Sequence, residues 1–357
     1  MSNEINDNKE ESDTSGSGVL AKASSLAFDV FTGTSIPEPV KKNALKAFGQ
    51  LCTAVVDIPV AYLEGKAAEK RAETQARVKL ISTGGDQIAS QMNVDPEYAS
   101  AAVKKYGEKI VQERINIDKA CNVAVNQIQE NSTNTTIEKE ATTESNTDPD
   151  DSSENNSISD DWINTFENEA SSKSTEEMQY LFGRILAGEI QKPKSFSIKT
   201  LKLVGEIDSS VANLFRRFCS LCIYLKAPDG RLLDARVASL GGNAASNSLK
   251  DYGLNFAQLN ILQEYGLIIS DYNSYFNYQL SIVNEKNEAF PFVYQNRNQA
   301  LLPETERPNT AELRIHGVTL SRAGMELLSI VDIEPDEKYT SALKEYFNSL
   351  NLEMVEI

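Results

Sequence analysis

The sequence predicts a mainly helical α+β chain: an N-terminal long-helix domain, a disordered acidic linker, then a helical bundle followed by a winged-helix-like module. Three observations predict it. Apolar residues recur at helical spacing over much of residues 36–130 and 160–225. The segment 131–160 is almost free of large apolar side chains, so it cannot bury enough surface to offset the entropy of ordering. Beyond Asp229-Gly230, helices alternate with short strand-like runs.

Composition and charge narrow the classes of function. With 357 residues, 40% hydrophobic and 24% charged, the chain resembles a soluble globular protein with room for two cores. Its net charge of −17 is concentrated: residues 131–173 carry −9, whereas residues 31–130 carry +1. No segment is strongly basic, so the long-range field repels nucleic acid. The start of the chain is polar and lacks an apolar signal core, and Cys52, Cys121, Cys219 and Cys222 are scattered as reduced cytosolic thiols would be. A cytoplasmic location is expected, with peripheral membrane association as the alternative.

Residues 1–18 read as a disordered tail and residues 19–130 as a helical domain. "SIPEPVKKNALKAFGQLCTAVVDIPVAYL" opens on prolines suited to a first helical turn, and "EGKAAEKRAETQARVKLI" places Ala68, Ala72, Ala76 and Leu80 on one stripe. Gly84-Gly85 makes a turn. Asp95 then caps a helix over 95–130, with Val103, Tyr106, Ile110, Ile117, Cys121, Ala124 and Ile128 at near-heptad spacing. At 1.5 Å per residue that helix spans about 50 Å. It requires a partner along its length, and a homo-oligomer or a protein partner is expected there. The apolar run 44–63 approaches the length that spans a bilayer, but Lys46, Gln50, Asp57 and Pro59 interrupt it. Burial in a helical core is the first expectation, and membrane contact the alternative.

The acidic linker occupies 131–158 and the helical bundle 159–228. Trp162, Ile163 and Phe166 seal a first helix; Ser174 and Glu177 predict a capping box for a second, with Met178, Leu181, Phe182, Ile185 and Leu186 on its apolar stripe. Gly188 and Pro193 end it. Ser195 or Ser197 caps a third helix carrying Ile198, Leu201 and Val204, and Asp208 caps "SSVANLFRRFCSLCIYL". In the module 229–357, "NFAQLNILQEYGLIIS" is a helix running into a strand. "SYFNYQLSIV" alternates with Phe276, Tyr278, Leu280 and Ile282 on one face. "ELRIHGVTLSRAGMELLSIV" returns as a strand and a Ser321-capped helix. Residues 284–311 form a long wing insertion, and the last 22 residues read as a closing helix with an apolar finish.

The segment "DDWINTFENEASSKSTEEMQYLFGRILAGEIQKPKSFSIKTLKLVGEID" resembles the bacterial family known as domain of unknown function 2806. The resemblance is dense over 160–208, where Trp162, Phe182, Arg184, Gly188, Pro193 and Phe196 stand as structural core positions. It extends to "PVAYLEGKAAEKRAE" and "GVTLSRAGMELLSIV". It implies no reaction, because that family has none assigned. The layout "LFGRILAGEI…SFSIKTLKLV" is also similar to the Abi-alpha family, which implies phage defence or mobile-element biology.

No catalytic constellation is expected, and no cofactor or metal. His316 is the single histidine, which excludes histidine triads and multi-histidine metal sites within one chain. Neither Gly84-Gly85 nor Gly241-Gly242 belongs to a phosphate-binding motif. Cys219 and Cys222 form a C-x-x-C inside an apolar run and read as buried thiols; the acidic run Asp148, Asp150, Asp151 and Glu154 reads as a solvated tail. Lys192, Lys194, Ser195 and Ser197 are the best candidate site, a helix N-terminus that offers charge and hydroxyls to an anion or an acidic partner. The helix 255–264 lacks Lys and Arg, so DNA binding through a winged helix would depend on Arg231, Arg236, Arg297, Arg307 and Arg314.

Overall fold

A computed structural model describes residues 36–52, 95–139, 157–227, 230–278, 289–304 and 312–357, with a few helical positions between 72 and 79. The expected tail, the Gly84-Gly85 turn, Ala68 and Leu80 of the alanine-rich stripe, most of the linker and both ends of the wing insertion lie outside the described residues. The middle of that insertion forms two strands of the sheet rather than a wing. The chain divides into two compact units, Met1–Pro193 and Lys194–Ile357. The division falls inside the stretch 159–228 that the sequence suggests is one bundle.

In the first unit, α1 (Glu38–Leu51) follows Pro37 and buries Ala44, Ala47, Phe48 and Leu51. The long helix α2 (Pro96–Lys139) has 44 residues and is about 66 Å long. It continues nine residues beyond the expected end at Glu130. Helix α3 (Asp160–Ser171) is capped by Ser159, whose hydroxyl accepts from the Trp162 amide at 3.2 Å. Helix α4 (Glu176–Gln191) starts at Thr175, which makes no side-chain cap bond. The expected Ser174–Glu177 box does not form, because the helix begins one residue later than the motif requires.

Packing follows from the apolar stripes. Phe166 stacks on Trp162 with centroids 5.5 Å apart and meets Phe182 edge-on at 5.7 Å. Lys46, one of the charges interrupting the apolar run, sends its ammonium to the Ile158 carbonyl at 2.7 Å and to Asp160 at 2.9 Å. Asn116 and Gln179 form a buried amide pair at 3.2 Å; Asn116 also donates to the Ser171 carbonyl at 2.7 Å and Gln179 to the Lys173 carbonyl at 3.1 Å.

The second unit packs helices α5 (Ile198–Glu206), α6 (Ser209–Leu221), α7 (Phe256–Glu264), α8 (Arg322–Leu328) and α9 (Glu337–Ser349) with an antiparallel sheet. The strands are β1 (Ile223–Lys226), β2 (Leu232–Ala238), β3 (Ile268–Ile269), β4 (Tyr275–Asn277), β5 (Phe290–Tyr294), β6 (Arg297–Pro303), β7 (Arg314–Leu320) and β8 (Leu352–Glu356). Their order is β3-β7-β2-β1-β5-β6-β8, with β4 also pairing β7. Helix α9 lays Tyr339, Leu343 and Phe347 on the sheet; Phe347 is 6.1 Å from Phe292, and the Tyr339 hydroxyl donates to the Ala238 carbonyl at 3.0 Å.

Two sequence expectations change here. The run "SSVANLFRRFCSLCIYL" is helical only to Leu221; Ile223, Tyr224 and Leu225 form β1, because a β-branched and aromatic run meets two strands that complete its hydrogen bonding. The sheet thus starts before residue 229. The apolar finish of the chain is not helical either. Asn351, at φ +58°, turns the chain out of α9 into β8, where Leu352 and Met354 face inward.

Candidate interaction site

Helix α2 offers the clearest candidate surface. At about 100° per residue, Ala99, Ala102, Val103, Tyr106, Gly107 and Ile110 fall on the same arc as Ile117, Ala120, Cys121, Ala124, Val125 and Ile128. The later group is fully buried. Helix α4 runs beside it from the Gln179–Asn116 contact to a 3.1 Å bond between Gln191 and Asn131. The earlier group lies beyond that coverage: Tyr106 is 60% exposed and its neighbours on the arc are half-buried. Tyr98, at 70%, also stands in solvent. Among the described residues, one apolar stripe is thus covered along its second half and open along its first.

Polar contacts fix where the covered half begins. Arg114 is 15% exposed in its side chain; it pairs with Glu167 of α3 and donates to the Leu51 carbonyl of α1 at 3.1 Å. From Arg114 onward α2 is part of the core. Before it, Lys104 and Lys109 make surface ion pairs with Glu108 and Glu113 at 3.9 and 3.7 Å. Such pairs contribute little, so this stretch is free to adapt to a partner.

The candidate anion turn is divided between the two units. Lys192 follows α4 as its C-cap, and its amide donates to the Gly188 carbonyl at 2.9 Å. Lys194 opens the second unit at φ +71°. Ser197 caps α5, its hydroxyl accepting from the Thr200 amide at 3.2 Å, while Ser195 precedes the cap. The end of α5 already holds an anion of the chain's own. The Glu326 carboxylate of α8 accepts from the Ser197 amide at 2.8 Å and from the Thr200 hydroxyl at 2.6 Å. A carboxylate at a helix N-terminus is favoured by the dipole and the unpaired amides there. Sequence reasoning missed Glu326, which lies 126 residues beyond Thr200.

The remaining candidates read as structure. Trp162, Phe182 and Phe196 are buried; Arg184 places its guanidinium 5.5 Å from the Tyr180 ring, and Gly188 and Pro193 are half-buried around the end of α4. Burial pushes the thiols of Cys219 and Cys222 well above the ordinary value, and only the first lies on the helix. Cys121 is raised by a hydrogen bond to Cys52 and by burial. Raised thiols resist becoming thiolates and are poor nucleophiles. His316 sits on β7, its Nδ1 3.2 Å from the Asn273 carbonyl and its ring 5.3 Å from Tyr275. Among the described residues no cluster of His, Cys, Asp or Glu is arranged to hold a metal ion.

Three of the five arginines that DNA binding would need, Arg236, Arg297 and Arg314, are engaged elsewhere. Arg236 is buried, with a two-pronged pair to Asp234 at 2.6 and 2.7 Å and bonds to the Ser274 and Ile315 carbonyls. Arg297 pairs with Glu356, and Arg314 with Glu312 while covering the Tyr275 ring at 4.5 Å. Arg231 follows the β1–β2 turn, its carbonyl accepting from the Ala227 amide, and Arg307 lies outside the described residues. Helix α7 instead exposes Phe256 at 52% and Ile261 at 39%. The proposed membrane run lies in α1 as far as Leu51, and residues 53–63 lie outside the described residues. Among the described residues no helix is long and apolar enough to cross a membrane.

Comparison with known proteins gives one family. The family described as Protein of unknown function (DUF2806) matches residues 125–344. No curated protein and no solved structure matches the chain.

Proposed function

Because the chain belongs to the DUF2806 family, for which no activity is known, its own surfaces must supply the reading, and we propose that it is a non-catalytic, self-associating interaction component. One observation carries this: the buried stripe of α2 continues past its partners as the exposed arc around Tyr106. A second copy of α2 fits that arc. Residues 96–130 hold five cations and five anions, so two copies meet without net repulsion. The near-heptad repeat provides knobs for a matching helix.

The second unit is read as a winged-helix-like module used for protein contact. The partial order β3-β7-β2, entered from α7, supports that reading, and the exposed Phe256 and Ile261 favour protein over DNA. A setting in phage defence or mobile-element biology is proposed on the Abi-alpha similarity alone. Unchanged plaque counts after deleting the gene would remove that setting and leave the assembly reading intact.

Light scattering on the full chain across a concentration series tests the assembly. The expected result is a discrete oligomer that Tyr106→Glu weakens by about tenfold or more. Ala101→Glu, on the opposite side of α2, leaves it unchanged. A monomer at every concentration, or equal loss in both variants, defeats the proposal.

A further inference from the structure

The sheet has one long free edge. Strand β8 ends the strand order, and among the described residues no strand lies on its outer side; the other end, β3, has only two residues. The Ile357 amide donates to the Asn298 carbonyl at 3.1 Å, and the Glu304 amide to the Asn351 carbonyl at 3.0 Å. In an unbroken antiparallel register this assigns the odd-numbered residues to β6. The amides and carbonyls of Leu352, Met354 and Glu356 therefore point away from β6, along the free edge.

The edge is acidic. Residues 350–357 hold Glu353 and Glu356 and no lysine or arginine. Both carboxylates are exposed, as is Glu304 beside them, and Ile357 is 68% exposed on the same face as Glu353. Glu356 also pairs with Arg297 of β6 at 3.2 Å, an exposed and water-screened pair, so three acids against one cation leave the edge net negative. A second copy would bring acidic strand against acidic strand in a chain already at −17. That distinguishes this edge from the balanced charge of α2.

We propose that β8 takes up an extended basic segment of another protein by strand addition. Backbone bonds to Leu352, Met354 and Glu356 supply affinity, and cations three residues apart, opposite Glu353 and Glu356, select the segment. An apolar residue between them covers Val355, and one beyond the second cation covers Ile357. This does not depend on self-association through α2.

Titration of the full chain with a synthetic peptide of about seven residues, lysines three apart among valines, tests it against the same peptide with glutamates. Two variants separate charge from backbone pairing. Glu356→Gln and Glu356→Pro both lose the carboxylate, but only proline loses the outward amide, and proline is tolerated where that amide faces solvent. The lysine peptide binds, the glutamate peptide does not, and Glu356→Pro weakens binding about tenfold beyond Glu356→Gln. Bound peptide slows amide exchange at Leu352 and Met354. Equal binding by the two variants means a charged patch without strand addition and overturns the proposal. So does failure of the lysine peptide to bind. Protection of those amides that rises with chain concentration, without peptide, assigns the edge to a second copy and overturns it too.

Discussion

At Gly183 a hydrogen stands where a methyl group has no room. A Cβ there would lie 2.5 Å from the Val123 Cβ and 2.7 Å from the Ala120 carbonyl oxygen. The closeness of α4 to α2 depends on this position, although the sequence draws attention to Gly188 five residues later. Gly183→Ala is expected to lower stability by about 1–3 kcal/mol, because the obstruction includes backbone that cannot rotate away. Thermal unfolding of the variant measures it. The Asp234–Arg236 pair is the other position where a single change is costly. Both side chains are about 95% buried, so Asp234→Ala leaves a guanidinium unpaired in the core. A loss of about 3–5 kcal/mol is expected in denaturant unfolding, and replacing both residues by apolar ones recovers much of it.

Among the elements, helix starts are the most legible. Asp95, Ser197, Asp208, Asn255 and Ser321 each accept a hydrogen bond from an amide two or three residues onward, as their residue types predict. The signal is short-range, so the sequence carries most of it, although at Ser174 the helix starts elsewhere. The capping of α9 is richer. Burial tends to raise the Asp336 carboxyl, but the Tyr339 amide at 2.6 Å and the Arg217 guanidinium outweigh it and hold the group below the ordinary range. A lowered native value means the stabilisation is complete above about pH 4 and is lost as pH falls through that value. Asp336→Asn is therefore expected to be less stable at neutral pH and to lose less on acidification below about pH 4, in denaturant titrations at a series of pH values. What the sequence hid were elements defined by distant partners. β1 looked helical because its pairing strands come later in the chain, and Glu326 carries no local mark of the helix end it occupies.

For the whole molecule, charge separates the candidate roles. The chain carries −17, its described arginines are largely paired, and α7 exposes aromatic and aliphatic groups. No retention on immobilised DNA is expected at about 50 mM salt, conditions that favour even non-specific binders. Retention that vanished with added salt would reopen the regulator reading. The path of the chain through the sheet has a different consequence, for synthesis. Strand β7 pairs with β2, β3 and β4, and all three precede it in sequence. Until residues 314–320 have left the ribosome, those three strands wait with edges that only β7 can satisfy. Such exposed edges recruit neighbouring chains when ribosomes are crowded. Nascent chains stalled just short of β7 should therefore be protease-sensitive in the second unit, which becomes committed to its fold only once residues 314–320 have emerged.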